Sequence, residues 1–499
     1  MRELQTPQQA AQWLRQQVRG QLHIDSRRVQ AGDGFIAWPG AATDGRQYMA
    51  QALAQGAAAC LMEREGSEPW QTLEPSDRLA ALAGLKHSTG WVADAYYEQP
   101  SDRLRVLAVT GTNGKTSTAC WLAQALGALG QPCGVVGTLG VGLWPELQST
   151  GMTTPDPVSL QHAFVQMLDA GARHCAIEAS SIGLAEHRLD GTRIRAAIFT
   201  NFTQDHLDYH GSMAAYWEAK RALFGWDGLQ AAVINVDDTQ GAVLAQALSA
   251  TSLDVWACSR HGAARLQARM QPSLQGLSFE VIEGAESLRL DTALIGDYNV
   301  DNLLGVIGAL RAQGVPLALA AQACAQLQPV PGRMQRILPA QTGVALPLAV
   351  VDYAHTPDAL TQALQALQPL ARERGGRLWC VFGCGGDRDP HKRPLMAAAA
   401  EVLADRLVLT SDNPRSESVD AILAQMREGL RKPQAATVQQ DRAAAIALAV
   451  READPADVLL VAGKGHETTQ EIAGNFHPFS DVAQLQAALQ ARAGQEVRA

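Results

Sequence analysis

The stretch Val106-Leu107-Ala108-Val109-Thr110-Gly111-Thr112-Asn113-Gly114-Lys115-Thr116 constrains this chain more than any other. An apolar, β-branched run feeds a short turn ending in Gly-Lys-Thr, and helix-forming residues 117–128 follow. Strand, loop and helix in that order make a phosphate cradle. Backbone N–H groups and the helix N-terminus face the anion, the lysine adds a mobile positive charge, and the threonine hydroxyl can hold Mg²⁺. The chain is therefore expected to use a nucleoside triphosphate. The common motif has another glycine where Val109 stands, so this is a shorter variant of it.

Length and charge narrow the setting. A chain of 499 residues suggests several domains, at ~100–200 residues each. A net charge of −9 argues against general nucleic-acid binding, which needs a basic face. No run approaches the ~18 apolar residues of a membrane span, and the polar segment after Met1 is no signal peptide. None of the eight cysteines forms a C-x-x-C pair, so buried, reduced thiols are expected. The expectation is a soluble, cytoplasmic monomer whose partners are small molecules.

The chain divides into blocks at 1–99, 100–332 and 333–499, separated near Tyr96-Tyr97-Glu98-Gln99-Pro100 and Pro329-Val330-Pro331-Gly332. The first mixes short strands with Ala-rich helices. The second repeats strand-then-helix units, with strands expected over 104–109, 174–177, 196–200 and 231–236. The third repeats that logic, with strands over 377–383, 406–410 and 458–462 and a helix over 393–403. Each strand ends in small or polar residues, as in parallel sheets whose carboxyl edges carry a site. The fold class is α/β.

Five further loops follow expected strands. Asn201 to Gly211 offers Asp205, His206, Asp208 and His210, a mixed donor set that suits Mg²⁺ or Mn²⁺ better than zinc; by itself it is equally a capped loop of solvated charges. Glu178-Ala179-Ser180-Ser181 places a carboxylate within reach of a triphosphate-bound metal, or merely ends a strand. Gly383-Cys384-Gly385-Gly386-Asp387-Arg388-Asp389 is a glycine turn presenting charges. In Ser411-Asp412-Asn413-Pro414-Arg415-Ser416-Glu417, Arg415 offers a forked donor for a carboxylate and Asp412 can pair with an ammonium, which suits a zwitterionic amino acid. Ala462-Gly463-Lys464-Gly465-His466-Glu467 is a further charged turn.

In this order the motifs resemble the Mur ligases, the ATP-dependent amide-forming enzymes of peptidoglycan precursor synthesis. Further matching signatures are Thr153-Thr154-Pro155-Asp156, Gly296-Asp297-Tyr298-Asn299, Pro331-Gly332-Arg333-Met334 and Asp352-Tyr353-Ala354-His355-Thr356-Pro357. Asp25-Ser26-Arg27 and Gly32-Asp33-Gly34-Phe35 look like the family's uridine-diphosphate domain. Asp412-Asn413-Pro414-Arg415 marks the branch that adds meso-2,6-diaminopimelate to UDP-N-acetylmuramoyl-L-alanyl-D-glutamate.

The resemblance implies an N-terminal α/β domain for the UDP substrate, a central P-loop ATPase domain and a C-terminal Rossmann-like domain for the amino acid. It implies ATP contacts at Gly111, Thr112, Asn113, Gly114, Lys115, Thr116, Ser117, Asn299, Arg333 and Asp352. Muramoyl-dipeptide contacts fall on Ile24, Ser26, Thr153, Thr154, Ser180, Glu186 and Arg188. Diaminopimelate contacts fall on Arg388, Asp412, Asn413, Pro414, Arg415, Gly463 and Glu467. Lys115, Glu178, His206 and Lys220 are the implied catalytic groups, with two Mg²⁺ near Thr116, Glu178, His206 and Lys220. The residues themselves make Lys220 a solvated surface lysine, on a helix over 216–224 capped by Ser212. The resemblance instead makes it an N6-carboxylysine that holds the second Mg²⁺.

Met152, Glu186 and Gln335 depart from the family's usual residues, the first two at substrate contacts and the third in the ATP site. The implied chemistry is formation of an acyl phosphate followed by aminolysis. A related ligase such as folylpolyglutamate synthetase shares the ATP domain, but the Asp25-Ser26-Arg27 and Asp412 to Arg415 motifs argue against it. An ATPase that works only as a switch would turn over without a muramoyl peptide.

Overall fold

The computed structural model describes residues 1–40, 43–70, 72–73, 76–273, 276–338 and 344–496. Three mixed α/β units follow one another, each built on a sheet with a core of parallel strands. The N-terminal sheet orders its strands Arg2–Leu4, Leu79–Leu82, Ala59–Glu63, Gly34–Ala37 and Leu22–His23, all parallel. The four residues of Gly34–Ala37 are buried, as are those of Leu79–Leu82, because helices cover both faces.

The central sheet has a parallel core in the order Asp254–Ser259, Ala231–Asn235, Ile194–Phe199, Arg105–Thr110, His174–Glu178 and Cys133–Gly137. Thr110 lies opposite Phe199 and Val109 opposite Glu178, so three carboxyl ends meet at one edge. The expected strands are present with their ends moved by a residue or two, and Glu178 closes its strand instead of following it. The helix after the phosphate turn starts at Lys115, earlier than expected. Not anticipated are the antiparallel edge strand Gly140–Leu143 and the hairpin Leu277–Glu283 with Glu286–Thr292.

The C-terminal sheet orders Gln335–Ile337, Leu348–Asp352, Val458–Ala462, Leu378–Phe382, Arg406–Leu409 and Thr437–Val438. Asp352 and Phe382 both register with Ala462, and Phe382 also with Leu409. The loops beginning at Tyr353, Gly383, Thr410 and Gly463 therefore leave the same edge side by side. A small antiparallel hairpin, Thr469–Ile472 with Asn475–Pro478, closes beside them.

The units share apolar contacts. Val158, from the helix Pro157–Asp169, is 1% exposed within the N-terminal core. Ile295 of the central unit packs into the C-terminal core. All eight cysteines are buried and free, as expected. Among the described residues no helix is long and apolar enough to cross a membrane.

Candidate active site

The carboxyl edge of the central sheet faces the C-terminal unit across a cleft of about 650 Å³. Its floor is the phosphate turn. Gly111 and Gly114 adopt φ of +145° and +85°, where glycine is favoured. A Cβ on Gly111 would stand 1.9 Å from Thr200 Oγ1, and one on Gly114 would stand 2.3 Å from Asn302 Oδ1. The turn is held from outside: Thr112 N donates to Asn201 O at 2.8 Å, and Asn113 N to Asn201 Oδ1 at 2.8 Å. The Lys115 ammonium folds back to donate to Gly111 O at 2.9 Å and Thr112 O at 2.8 Å. Burial pulls its pKa down, against the charges of Glu178 and Asp205.

Beside the turn lies an oxygen-rich corner. Thr116 Oγ1 donates to Glu178 Oε2 at 3.0 Å, and Thr138 N donates to Glu178 Oε1 at 2.8 Å. Thr138 Oγ1 lies 3.1 Å from Thr153 Oγ1. Next to it, Thr154 Oγ1 donates to Glu178 O at 2.7 Å and lies 2.9 Å from Ser180 Oγ. Arg188 Nη1 donates to Thr154 O at 2.9 Å. These groups offer hard oxygen donors of the kind Mg²⁺ prefers.

Asp205 and His206 also line the cleft. Burial works against the Asp205 carboxylate, yet His206 and His355 hold its pKa below the ordinary value. Burial lowers the His206 pKa. Asp208 and His210 do not line the cleft, and His210 Nε2 pairs with Ser181 Oγ at 3.0 Å. Among the described residues no cluster of His, Cys, Asp and Glu is preformed to hold a metal. Any Mg²⁺ here must take ligands from phosphate and water as well, as that ion commonly does.

Lys220 corrects the reading of a solvated lysine. Ser212 does cap its helix, Met213–Arg221, by accepting from Ala215 N at 3.2 Å. The side chain, however, is 1% exposed, donates to Gly111 O at 2.6 Å and lies 4.4 Å over the Tyr216 ring. Burial, with the nearby Lys115 charge, pulls its pKa well below the usual amine value. The cause is tertiary: the phosphate turn closes over the helix face, and sequence spacing within that helix carries no sign of it.

The far wall comes from the next unit. Arg333 Nη2 donates to Thr116 Oγ1 at 3.1 Å, and its guanidinium lies 4.2 Å over the Tyr353 ring. Asp352 accepts from Met334 N at 2.7 Å and Ala354 N at 2.8 Å, so both its oxygens serve the hinge. Burial raises its pKa against the pull of Arg333. Asn299 Nδ2 donates to Ile295 O at 2.7 Å and Asn302 Nδ2 donates to Asn299 Oδ1 at 2.9 Å, which fixes that corner. Asn113 Nδ2 donates across the cleft to Asp358 Oδ2 at 3.1 Å. Sequence reading missed Thr138 and Asp358. Thr138 directly follows the parallel strand Cys133–Gly137, a position that the rule applied elsewhere would have flagged.

The loops expected to receive the amino acid meet at the C-terminal sheet edge, and none of Arg388, Asp412, Asn413, Pro414, Arg415, Gly463 and Glu467 lines the cleft itself. Asn413 Nδ2 donates to Glu467 Oε2 at 2.9 Å, and Gly386 N donates to Asn413 O at 2.9 Å. Arg415, at φ +51°, donates through Nη1 to Gly386 O at 2.7 Å and pairs through Nε with Glu471 at 3.2 Å. Its fork is thus partly engaged by the protein itself. A Cβ on Gly463 would meet Asp412 Oδ2 at 2.6 Å. Arg388 is exposed and bonds weakly to Asp387 O at 3.4 Å.

Other expected contacts lie elsewhere. Ile24 and the buried Ser26 sit in the N-terminal unit, outside this cleft, where Asp25 accepts from Arg27 N at 3.0 Å. Glu186 pairs with Lys86 at 2.7 Å, linking the N-terminal and central units, and accepts from Tyr209. Gln335 Oε1 accepts from Gly332 N at 2.8 Å, stabilising the turn that carries Arg333.

Comparison with known proteins places this architecture. Family models described as Mur ligase family, catalytic domain, Mur ligase middle domain, and Mur ligase, glutamate ligase domain match residues 20–85, 109–310 and 332–465. The UDP-N-acetylmuramoyl-L-alanyl-D-glutamate–2,6-diaminopimelate ligase of Acidovorax sp. (strain JS42) is 60% identical over 98% of both chains. That of Pseudomonas aeruginosa (PAO1) is 46% identical over 94% of this chain and 95% of its own. A solved structure of a ligase of the same name is 36% identical, covers 95% of each chain and has a TM-score of 0.64. MurF of Acinetobacter baumannii, at 18% identity, TM-score 0.66 and coverage of 96% and 98%, shares the fold.

Proposed function

The chain belongs to the Mur ligase family, and from that premise we propose how its residues divide the reaction. It is an ATP-dependent ligase that adds 2,6-diaminopimelate to UDP-N-acetylmuramoyl-L-alanyl-D-glutamate in peptidoglycan synthesis. The observation that carries the assignment of roles is the cleft itself, where the phosphate turn, Glu178, Lys220 and the Arg333–Tyr353 hinge line one volume.

We assign residues 1–99 to UDP-substrate binding, 100–332 to ATP, and 333–499 to the amino acid; the sheet breaks between them support that division. ATP phosphates lie on the amides of Gly111 to Ser117, with Lys115 moving off Gly111 O and Thr112 O onto the anion. Asn299, Arg333 and Asp352 border the nucleoside. Ile24 and Ser26 hold the uridine end; Thr153, Thr154, Ser180 and Arg188 hold the dipeptide end, while Glu186 acts through Lys86. Asp412, Asn413, Arg415, Gly463 and Glu467 receive meso-diaminopimelate, with Pro414 fixing the turn and Arg388 at the rim.

The D-Glu side-chain carboxylate attacks the γ-phosphorus as the bond to the ADP oxygen breaks. Two anions must meet, so the Lys115 charge and the aligned amides offset their repulsion. Thr116, Glu178, His206 and a modified Lys220 suit two Mg²⁺, which when bound would neutralise phosphate charge and orient the reacting oxygens. The buried Lys220 favours its neutral amine, the form that adds CO₂; the new N–C bond gives a carbamate and releases one proton. The amine of diaminopimelate then attacks the acyl carbon, and phosphate leaves. Closure of the third domain keeps water from the acyl phosphate.

The buried, free thiols and the nucleotide substrates favour a cytoplasmic enzyme, and we propose that it acts as a monomer. Substrate carrying ¹⁸O in the D-Glu side-chain carboxylate tests the route: one ¹⁸O passes into the released phosphate. Phosphate free of label would contradict the acyl-phosphate step. ¹³C-bicarbonate should give a carbamate NMR signal that Lys220→Ala lacks; a signal that persists would place the modification elsewhere.

A further inference from the structure

Lys464 lies between two of the loops assigned to diaminopimelate, yet its chemistry has no part in the division of roles above. It is 0% exposed. Its ammonium donates to Asn413 Oδ1 at 2.8 Å and to Glu467 Oε2 at 2.7 Å. Asn413 Nδ2 reaches the same Glu467 oxygen at 2.9 Å, closing a three-membered network. Asn413 Oδ1 also accepts from Glu471 N at 3.0 Å. A buried lysine is costly unless paired and hydrogen-bonded, and here both partners are side chains assigned above to the amino acid.

The backbones beneath are fixed separately. Arg442 and Asp481 form an ion pair with both side chains 0% exposed. The same guanidinium donates to Ser411 O at 3.1 Å and to Ala462 O at 2.8 Å, the residues just before Asp412 and Gly463. Arg442 therefore sets the spacing of the two strand ends. What it leaves free is the direction of the Asn413 and Glu467 side chains, and those are the groups Lys464 holds.

We propose that Lys464 is a positioning residue for the amino-acid substrate: its ammonium aims the Asn413 amide and the Glu467 carboxylate as one unit and balances the carboxylate's charge until an ammonium of the substrate arrives. The proposal rests on the reading that these loops receive diaminopimelate. Without Lys464 the Asn413–Glu467 hydrogen bond remains, but the carboxylate loses its charge partner and the pair loses its third anchor, so ordering it falls to the substrate. The loss is confined to amino-acid binding, because the phosphate turn and the dipeptide site share no hydrogen bond with Lys464.

The test is steady-state kinetics of the full chain, titrating each of the three substrates in turn, for Lys464→Met, Glu467→Gln, Asn413→Ala and the double variant Lys464→Met/Glu467→Gln. For Lys464→Met the KM for diaminopimelate should rise about 10- to 100-fold, with the other two KM values within about twofold. The double variant should be no worse than the poorer single one, since Lys464 acts through Glu467. An unchanged diaminopimelate KM, a common rise in all three KM values or full additivity would overturn the proposal. If Glu467→Gln and Asn413→Ala also leave that KM unchanged, the reading of the loops has failed; if they raise it and Lys464→Met does not, only the role of Lys464 has. Should Lys464→Met not be recovered folded, Lys464→Gln must show the same selective rise.

Discussion

The phosphate turn and the edge of the C-terminal sheet are built on opposite plans. At the phosphate turn the groups proposed to meet ATP are mostly main chain, and the Lys115 ammonium rests on two carbonyl oxygens. At the C-terminal sheet edge, proposed to receive the amino acid, the groups are side chains already bonded to one another through Asn413, Lys464 and Glu467. The first plan suits a ligand of fixed shape and high charge, the second a choice between amino acids that differ by one carboxylate.

The largest expected effect is at the phosphate turn. Lys115→Met should lower kcat by about 10³-fold or more with every amino acid offered, read as phosphate release. A loss confined to diaminopimelate would erase the distinction between the two. Next comes Arg415→Ala. Its guanidinium is already paired with Glu471 and Gly386 O, so L-Lys leaves it less exposed to an unmade bond than an unpaired arginine would be. The preference for diaminopimelate over L-Lys should therefore fall by about 10²-fold, the lower end of what a lost charged partner costs; competition kinetics measure it.

Between them, Gly332 sits at φ +66°, and a Cβ there would lie 2.1 Å from His466 N. Gly332→Ala should destabilise by about 3 kcal/mol and impair turnover, checked by thermal unfolding and rate. The smallest effect belongs to the N-terminal unit. Asp94 has a buried Oδ1 without a hydrogen-bond partner, and burial, reinforced by Asp102, pushes its pKa up to about 6. The fold thus favours the protonated form. That stability is present in full below about pH 4 and is lost as pH rises through about 6. Asp94→Asn should gain about 1–2 kcal/mol at pH 7.5 and nothing at pH 4; equal gains at both would refute the cause.

The same contrast explains what the sequence discloses. Residues 106–116 are one contiguous signal, because strand, turn and helix are local, and Glu178 is found by its place at a parallel strand's end. The C-terminal sheet edge is legible only as separate turns, since nothing local says that Asn413 and Glu467 meet across 54 residues. Lys220 is the clearest failure: Gly111, 109 positions away, decides its burial. The hairpin Leu277–Glu283 with Glu286–Thr292 escapes a search for strand-then-helix units, although each strand runs seven residues and Leu288 and Leu290 alternate with polar neighbours. The Asp412 to Arg415 turn points to a zwitterion, but only the assembled network says which side chains hold it.

Phosphate chemistry and amino-acid choice are proposed to reside in two separate groups of loops, one at the central and one at the C-terminal sheet edge. The direct measurement is phosphate release and amide formation from ATP and UDP-N-acetylmuramoyl-L-alanyl-D-glutamate, with meso-diaminopimelate or L-Lys, for the wild-type chain and Arg415→Ala. Turnover with diaminopimelate alone is expected for the wild type, and for the variant a preference weakened about 10²-fold with ATP consumption still tied to amide formation. A variant that keeps its preference, or a wild type that releases phosphate without the muramoyl dipeptide, would contradict this expectation.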